Sequence, residues 1–224
     1  RNYLASMGIY IFNRKLLFDL LLDIYPNATD FGKEIMPQSI EKYKVASYQY
    51  DGYWTDIGNI YSFFEANISL TDDIPAFNLF DKTQTIYTRA RMLPPAKISG
   101  TTLEHTIIAE ASIINASRIE NSVIGIRSRI GHGSNLINCY MMGADYFETI
   151  EQINEAKNKG YPMVGIGERS YLKNCIVDKN ARIGDDVRII GGNHLEPTDH
   201  SLYTIKDGIV VIKKNAVIPN GFQM

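Results

Sequence analysis

A mixed α/β segment followed by a parallel β-helix is the architecture this sequence predicts. Three observations predict it. Leucines recur at helical spacing in the first quarter of the chain. From about residue 98 the apolar pattern changes to a period of six, which is neither helix nor simple alternation. Between them lies a proline-bearing stretch with no sustained period. The boundaries drawn from these shifts are 1–75, a linker over 76–97, and 98–224, with a loop excursion over 143–170.

The elements follow in order. Tyr3 to Phe12 is rich in aromatic and β-branched residues and predicts a strand. Asn13 is placed to cap a helix over RKLLFDLLLDI, whose Leu16, Leu17, Leu20 and Leu21 share one face. Pro26 and Asn27 end it. Asp30 stands where it would cap a second short helix. Val45 to Tyr50 alternates like a strand. Gly58 to Leu70 reads as an amphipathic helix through Ile60, Phe63, Phe64 and Ile68. In the linker, Arg89 and Arg91 are two apart, a spacing that puts both on one side of an extended chain.

The β-helix prediction rests on four triplets of hexads: Ile107, Ile113, Ile119; Ile124, Ile130, Leu136; Val177, Ile183, Ile189; and Ile205, Val211, Val217. In such a prism each six-residue face points one aliphatic side chain inward, and small residues occupy the turns. The excursion, GADYFETIEQINEAKNKGYPMVGIGERS, carries a helical pattern over Tyr146 to Lys159, and the coils resume at Tyr171.

Bulk properties narrow the function. A formal charge of −2 gives no surface for a polyanion, so nucleic acid is an unexpected partner. No run approaches the roughly 20 apolar residues that span a bilayer, so no membrane partner is expected. Two cysteines make no disulfide framework and suit a reducing, cytoplasmic setting. The chain opens on Arg1 within a strand-like run, the expectation for a piece of a longer protein. His105, His132, His194 and His200 show no metal-ligand spacing. By itself Asp56, in DGYWTDIG, reads as a cap before the next helix as readily as a ligand.

The stretches ASMGIYIF, DFGKEIMP, YDGYWTDIG, FFEANISL, LPPAKISG, MMGADYFET, VDKNARIGD and GIVVIKKNAVIPNG run in order through almost the whole chain. In them the chain resembles the C-terminal half of the ADP-glucose pyrophosphorylases, or glucose-1-phosphate adenylyltransferases. The resemblance implies the C-terminal end of a nucleotidyltransferase α/β domain followed by a left-handed parallel β-helix of hexapeptide repeats. It implies the conversion of ATP and glucose 1-phosphate to ADP-glucose and pyrophosphate, for glycogen or starch synthesis. Asp56 matches the family's second Mg²⁺-binding aspartate and is the catalytic candidate. Tyr53 and Trp54 would line the sugar pocket, and Ser6 and Asp30 would meet the glucosyl hydroxyls. Arg89, Arg91, Lys179 and Lys213 would hold a small anionic effector, whose identity stays open among sugar phosphates, phosphoglycerate, AMP and phosphate.

The family's Gly-rich nucleotide loop, its first metal-binding aspartate and its sugar-phosphate lysine have no counterpart here. The chain alone is therefore expected to be inactive. A homo-oligomer, commonly a tetramer in the family, is also implied. Two rivals remain: a hexapeptide-repeat acyltransferase with His132 as base, and a non-catalytic regulatory subunit of the same family.

Overall fold

The computed structural model describes residues 5–83 and 85–224. The chain divides into two compact units, Arg1–Gly52 and Tyr53–Met224.

In the first unit, Asn13 accepts the amide hydrogens of Lys15 and Leu16 (3.1 and 3.5 Å) and opens helix α1, Arg14–Phe18. Wide π turns carry the helix on through Asp19–Ile24, and Leu20 is fully buried. Asp30 caps the next π-helical turn, Phe31–Ile35, by accepting the Lys33 amide at 2.8 Å, and α2, Met36–Ile40, follows. Tyr10 and Phe12 pack on Phe31, with ring centroids 6.2 and 5.6 Å apart.

The two strands expected in this unit do not form. Residues 5–12 and 45–50 belong to no ladder, and Tyr3 and Leu4 lie outside the described residues. The reason is pairing. A strand exists only when a neighbour takes its amides and carbonyls, and no described segment does so here. Ile11 and Tyr48 are accordingly 97% and 89% exposed.

The second unit is built on a parallel β-helix. One face is a ladder of two-residue strands: Lys97–Ile98, Ile113–Ile114, Arg129–Ile130, Gly165–Ile166, Arg182–Ile183 and Val217–Ile218. The other two faces come from seven-residue strands, Thr102–Ile108, Arg118–Ile124, Asn135–Met141 and Tyr171–Val177. Each bends at its middle residue: His105, Asn121, Asn138 and Asn174 all have φ between 44° and 54°. Below Tyr171–Val177 the two halves part company. Tyr171–Lys173 pairs with Arg188–Ile190, whereas Cys175–Val177 pairs with Val210–Ile212. Asparagine suits the corner because it tolerates left-handed backbone. Its amides also bond along the stack, from Asn138 to Asn174 and from Asn174 to the Gly191 carbonyl, both at 2.8 Å.

The register corrects part of the hexad reading. Ile124, Ile130, Leu136, Val177, Ile183 and Ile189 point inward and are 1% exposed or less. In the first and last coils the inward positions are Ile108 and Ile114, and Ile212 and Ile218. Ile107, Ile113, Val211 and Val217 are their outward neighbours. Inward residues Ile108, Ile114, Ile119, Ile124, Ile130, Leu136 and Met141 are separated by five or six residues, so a strict count of six slips by one, and a slip of one turns a side chain to the other surface. Ile114→Ala should therefore cost about 2–5 kcal/mol and Ile113→Ala less than about 1 kcal/mol. Equal losses in chemical denaturation would refute this register.

Two boundaries also move. The prism is re-entered at Gly165–Ile166, which pairs with Ile130 and with Arg182–Ile183, before the Tyr171 of the sequence reading. Within the excursion, helix α4 is Ile150–Asn158, opened by a Thr149–Gln152 capping box. Helix α3, Ile60–Ile68, is capped by Asn59 and packs on the prism. Phe64 shares a buried cluster with Ile176 and Ile209, which ties α3 to the prism within the second compact unit.

Candidate functional site

Asp56 lies in an exposed segment three residues before the cap of α3. Its Oδ1 accepts the Gly58 amide hydrogen at 3.0 Å, a local turn that fixes the carboxylate without burying it. It is not the helix cap; Asn59 is, accepting the Ser62 amide hydrogen at 2.8 Å. Trp54 and Tyr53 are each just under half exposed, and the Tyr53 ring stacks on Phe77 at 6.0 Å. A groove of about 390 Å³ runs beside this segment, between Ile57–Ile60 and the prism residues Met142, Ile176 and Lys206.

Among the described residues no three His, Cys, Asp or Glu side chains converge as a metal-binding group. The donor chemistry fits one part of a Mg²⁺ site: a single exposed carboxylate with oxygen capacity beyond its one turn bond. Mg²⁺ is usually held by one or two carboxylates with phosphate oxygens and water completing the octahedron.

Ser6 and Asp30 belong to the first unit. The Ser6 hydroxyl is 2.9 Å from the Tyr10 hydroxyl and accepts the Gly8 amide hydrogen at 3.2 Å. Asp30 serves as a cap, as the local sequence anticipates, and its other oxygen has no bond to a described residue. The aromatic contacts of Tyr10 and Phe12 with Phe31 draw the two segments together.

Lys179 and Lys213 lie along one edge of the prism, and Arg89 and Arg91 lie in the exposed segment that leads into it. Backbone bonds define that edge: Ala111 donates to Pro94, Arg127 to Glu110, Ala144 to Ile126, Asn180 to Gly143, and Asn215 to Lys179. Lys179 and Lys213 therefore sit on adjacent coils. Arg89 and Arg91 precede Pro94, at the other end of the edge. From Pro94 to Asn180 is four steps, roughly 19 Å at about 4.8 Å per step.

Both lysines already have carboxylate partners. Lys179 Nζ is 2.7 Å from Asp145 Oδ1, and Lys213 Nζ is 2.6 Å from Asp199 Oδ1. Hydrogen bonds from Lys179 and Asn180 hold Asp145 below the usual carboxylate range. Those from Lys213 and Thr204 do the same for Asp199. Sequence spacing missed Asp145 and Lys214. The signal was available in the left-handed turn residues Arg127, Asn180 and Asn215, which index the edge.

One chain of contacts joins the two regions. Phe63 of α3 meets Tyr140 edge-on at 5.4 Å. Burial raises the Tyr140 hydroxyl's pKa, and the nearby Lys179 charge partly offsets that rise. The excursion has its own anchor. Glu148, 2% exposed as a side chain, holds Arg182 at 2.6 Å and accepts the Val164 amide hydrogen. His132 is exposed in a turn, where its carbonyl accepts the Arg169 amide hydrogen. No helix among the described residues is long and apolar enough to cross a membrane.

Two family models match. Residues 1–73 match a nucleotidyl transferase, and residues 91–222 match the GLGC left-handed parallel β-helix domain. Together they correspond to an ADP-glucose pyrophosphorylase-like C-terminal half. The chain belongs to the family of the GLGC left-handed parallel β-helix domain, with a nucleotidyl transferase segment preceding it.

Proposed function

We propose that this chain is part of a glucose-1-phosphate adenylyltransferase, which joins ATP and glucose 1-phosphate to give ADP-glucose and pyrophosphate for glycogen or starch synthesis. The observation that carries the reading is the conjunction, in one chain, of the two family matches with an exposed Tyr53-Trp54-Thr55-Asp56 segment.

In the reaction a phosphate oxygen of the sugar forms a bond to the α-phosphorus of ATP. The bond to the β-phosphate oxygen breaks, and pyrophosphate leaves. Asp56 would hold Mg²⁺ jointly with phosphate oxygens and a carboxylate from outside this chain. When bound, the ion supplies charge neutralisation for the transferring phosphoryl group. Trp54 and Tyr53 offer aromatic surface to the sugar, and Phe77 keeps the Tyr53 ring oriented. Ser6 and Asp30 offer a hydroxyl and a carboxylate to the glucosyl hydroxyls. Lys179 and Lys213 offer charge-assisted hydrogen bonds to an anionic effector, and Arg89 and Arg91 offer further cationic groups toward the other end of the same edge. A cytoplasmic homo-oligomer belongs to the same reading.

Pyrophosphate release by the intact protein tests it. With Mg²⁺ and glucose 1-phosphate, ATP should be preferred over GTP, UTP and dTTP by at least about tenfold, 1.4 kcal/mol in transition-state terms. Preference for another nucleotide overturns the assignment. Anion binding without turnover moves the chain to the regulatory-subunit reading.

A further inference from the structure

The cationic edge carries its own anion. Asp145 is the first exposed residue after the chain leaves the prism at Gly143 and Ala144. Its carboxylate meets Lys179 Nζ at 2.7 Å and the Asn180 side-chain amide at 3.1 Å, with Lys214 Nζ at 3.9 Å. Asn180 also accepts the Asp145 backbone amide hydrogen at 2.9 Å, so the two residues hold each other at both ends. Two ammonium groups and one amide thus converge on a single carboxylate. That is the donor set a phosphate group would take, and the carboxylate fills it.

We propose that Asp145 is a built-in competitor at this edge, occupying Lys179 and Lys214 until a phosphate-bearing ligand displaces it. The inference rests on the reading of Lys179 and Lys213 as an anion site and adds what sets that site's affinity. Three features support it. Lys179, Lys214 and Asp145 are each about half exposed, and ion pairs at such positions exchange with solvent at little cost, so displacement is feasible. Lys214 meets its carboxylate only at 3.9 Å, so one ammonium of the cluster is loosely held and open to an anion. Asn180 also retains the carboxylate at the cations when no ligand is bound, through a single amide bond of 3.1 Å, so an incoming phosphate meets its charge until it replaces it.

Calorimetric titration of the intact protein with inorganic phosphate at low ionic strength tests this. Asp145→Asn keeps the shape of the side chain and removes its charge, and should lower the phosphate Kd about tenfold. Asp145→Ser should do the same while keeping the backbone bond to Asn180, which guards against a folding effect of one variant. Glu155→Gln makes the same change in net charge on α4 and should leave Kd unchanged. Lys179→Ala should abolish measurable binding. If Lys179→Ala abolishes binding but neither Asp145 variant tightens it, the anion site stands and the competitor does not. If Glu155→Gln tightens binding equally, the effect is one of net charge and the proposal falls. If Lys179→Ala leaves binding intact, the anion-site reading fails and takes the proposal with it.

Discussion

Asp56→Asn in the intact protein should lower turnover by about a hundredfold or more while leaving thermal stability unchanged. On the proposed function, the size follows from the loss of a fixed charge at a phosphoryl-transfer centre, where one preorganised electrostatic group is worth on the order of 3 kcal/mol or more. The unchanged stability follows from the local geometry. Asp56 makes a single turn bond, from the Gly58 amide hydrogen to Oδ1, and asparagine keeps that acceptor. The cap of α3 is Asn59, so the helix is untouched. The substitution therefore separates charge from structure. Near-normal pyrophosphate release from Asp56→Asn would reduce Asp56 to a turn residue. A large drop in melting temperature would point the same way.

The second large effect is structural. The excursion leaves and rejoins the prism at two glycines, Gly143 with φ 84° and Gly165 with φ 115°. A Cβ at Gly143 would fall on the Ile126 carbonyl oxygen, and one at Gly165 on the Arg129 carbonyl oxygen. Both obstacles are backbone in the adjacent coil and cannot rotate aside. Gly143→Ala or Gly165→Ala should cost roughly 3–5 kcal/mol, combining an unfavourable φ with overpacking. For a chain of this size that lowers the melting temperature by roughly 6–20 °C. Gly160→Ala is the control. It too has positive φ, 72°, but no atom lies within 4 Å of the new methyl, so its loss should stay near 1 kcal/mol. If all three variants melt alike, the excursion is not pinned at its two ends.

Much of this was legible in the sequence, for a physical reason. Inward positions of a β-helix must be aliphatic in every coil, so Ile124, Ile130, Leu136, Val177, Ile183 and Ile189 announce the prism. Caps are equally local, and Asn13 and Asp30 act within three residues of themselves. What stayed hidden depends on partners distant in sequence. The register at Ile113 and Ile114 is set by pairing with Arg129 and Ile130. The pairing of Lys179 with Asp145 spans 34 residues. At the candidate site, Asp56, Trp54 and Tyr53 could be named through resemblance, whereas the stacking of Tyr53 on Phe77 could not.

The seat of α3 bears on how the molecule comes into being. Phe64 is buried against Ile176 and Ile209, residues synthesised more than a hundred positions later. Contacts of that sequence separation are slow to form, because the intervening chain must be ordered first. The Asp56 segment therefore settles only after the coils carrying those isoleucines have stacked. A nascent or stalled chain ending before residue 176 would leave Phe64 without Ile176 and Ile209, an apolar surface that invites aggregation or chaperone capture. The candidate catalytic carboxylate is thus among the first parts of this chain to be translated and among the last to be fixed in place.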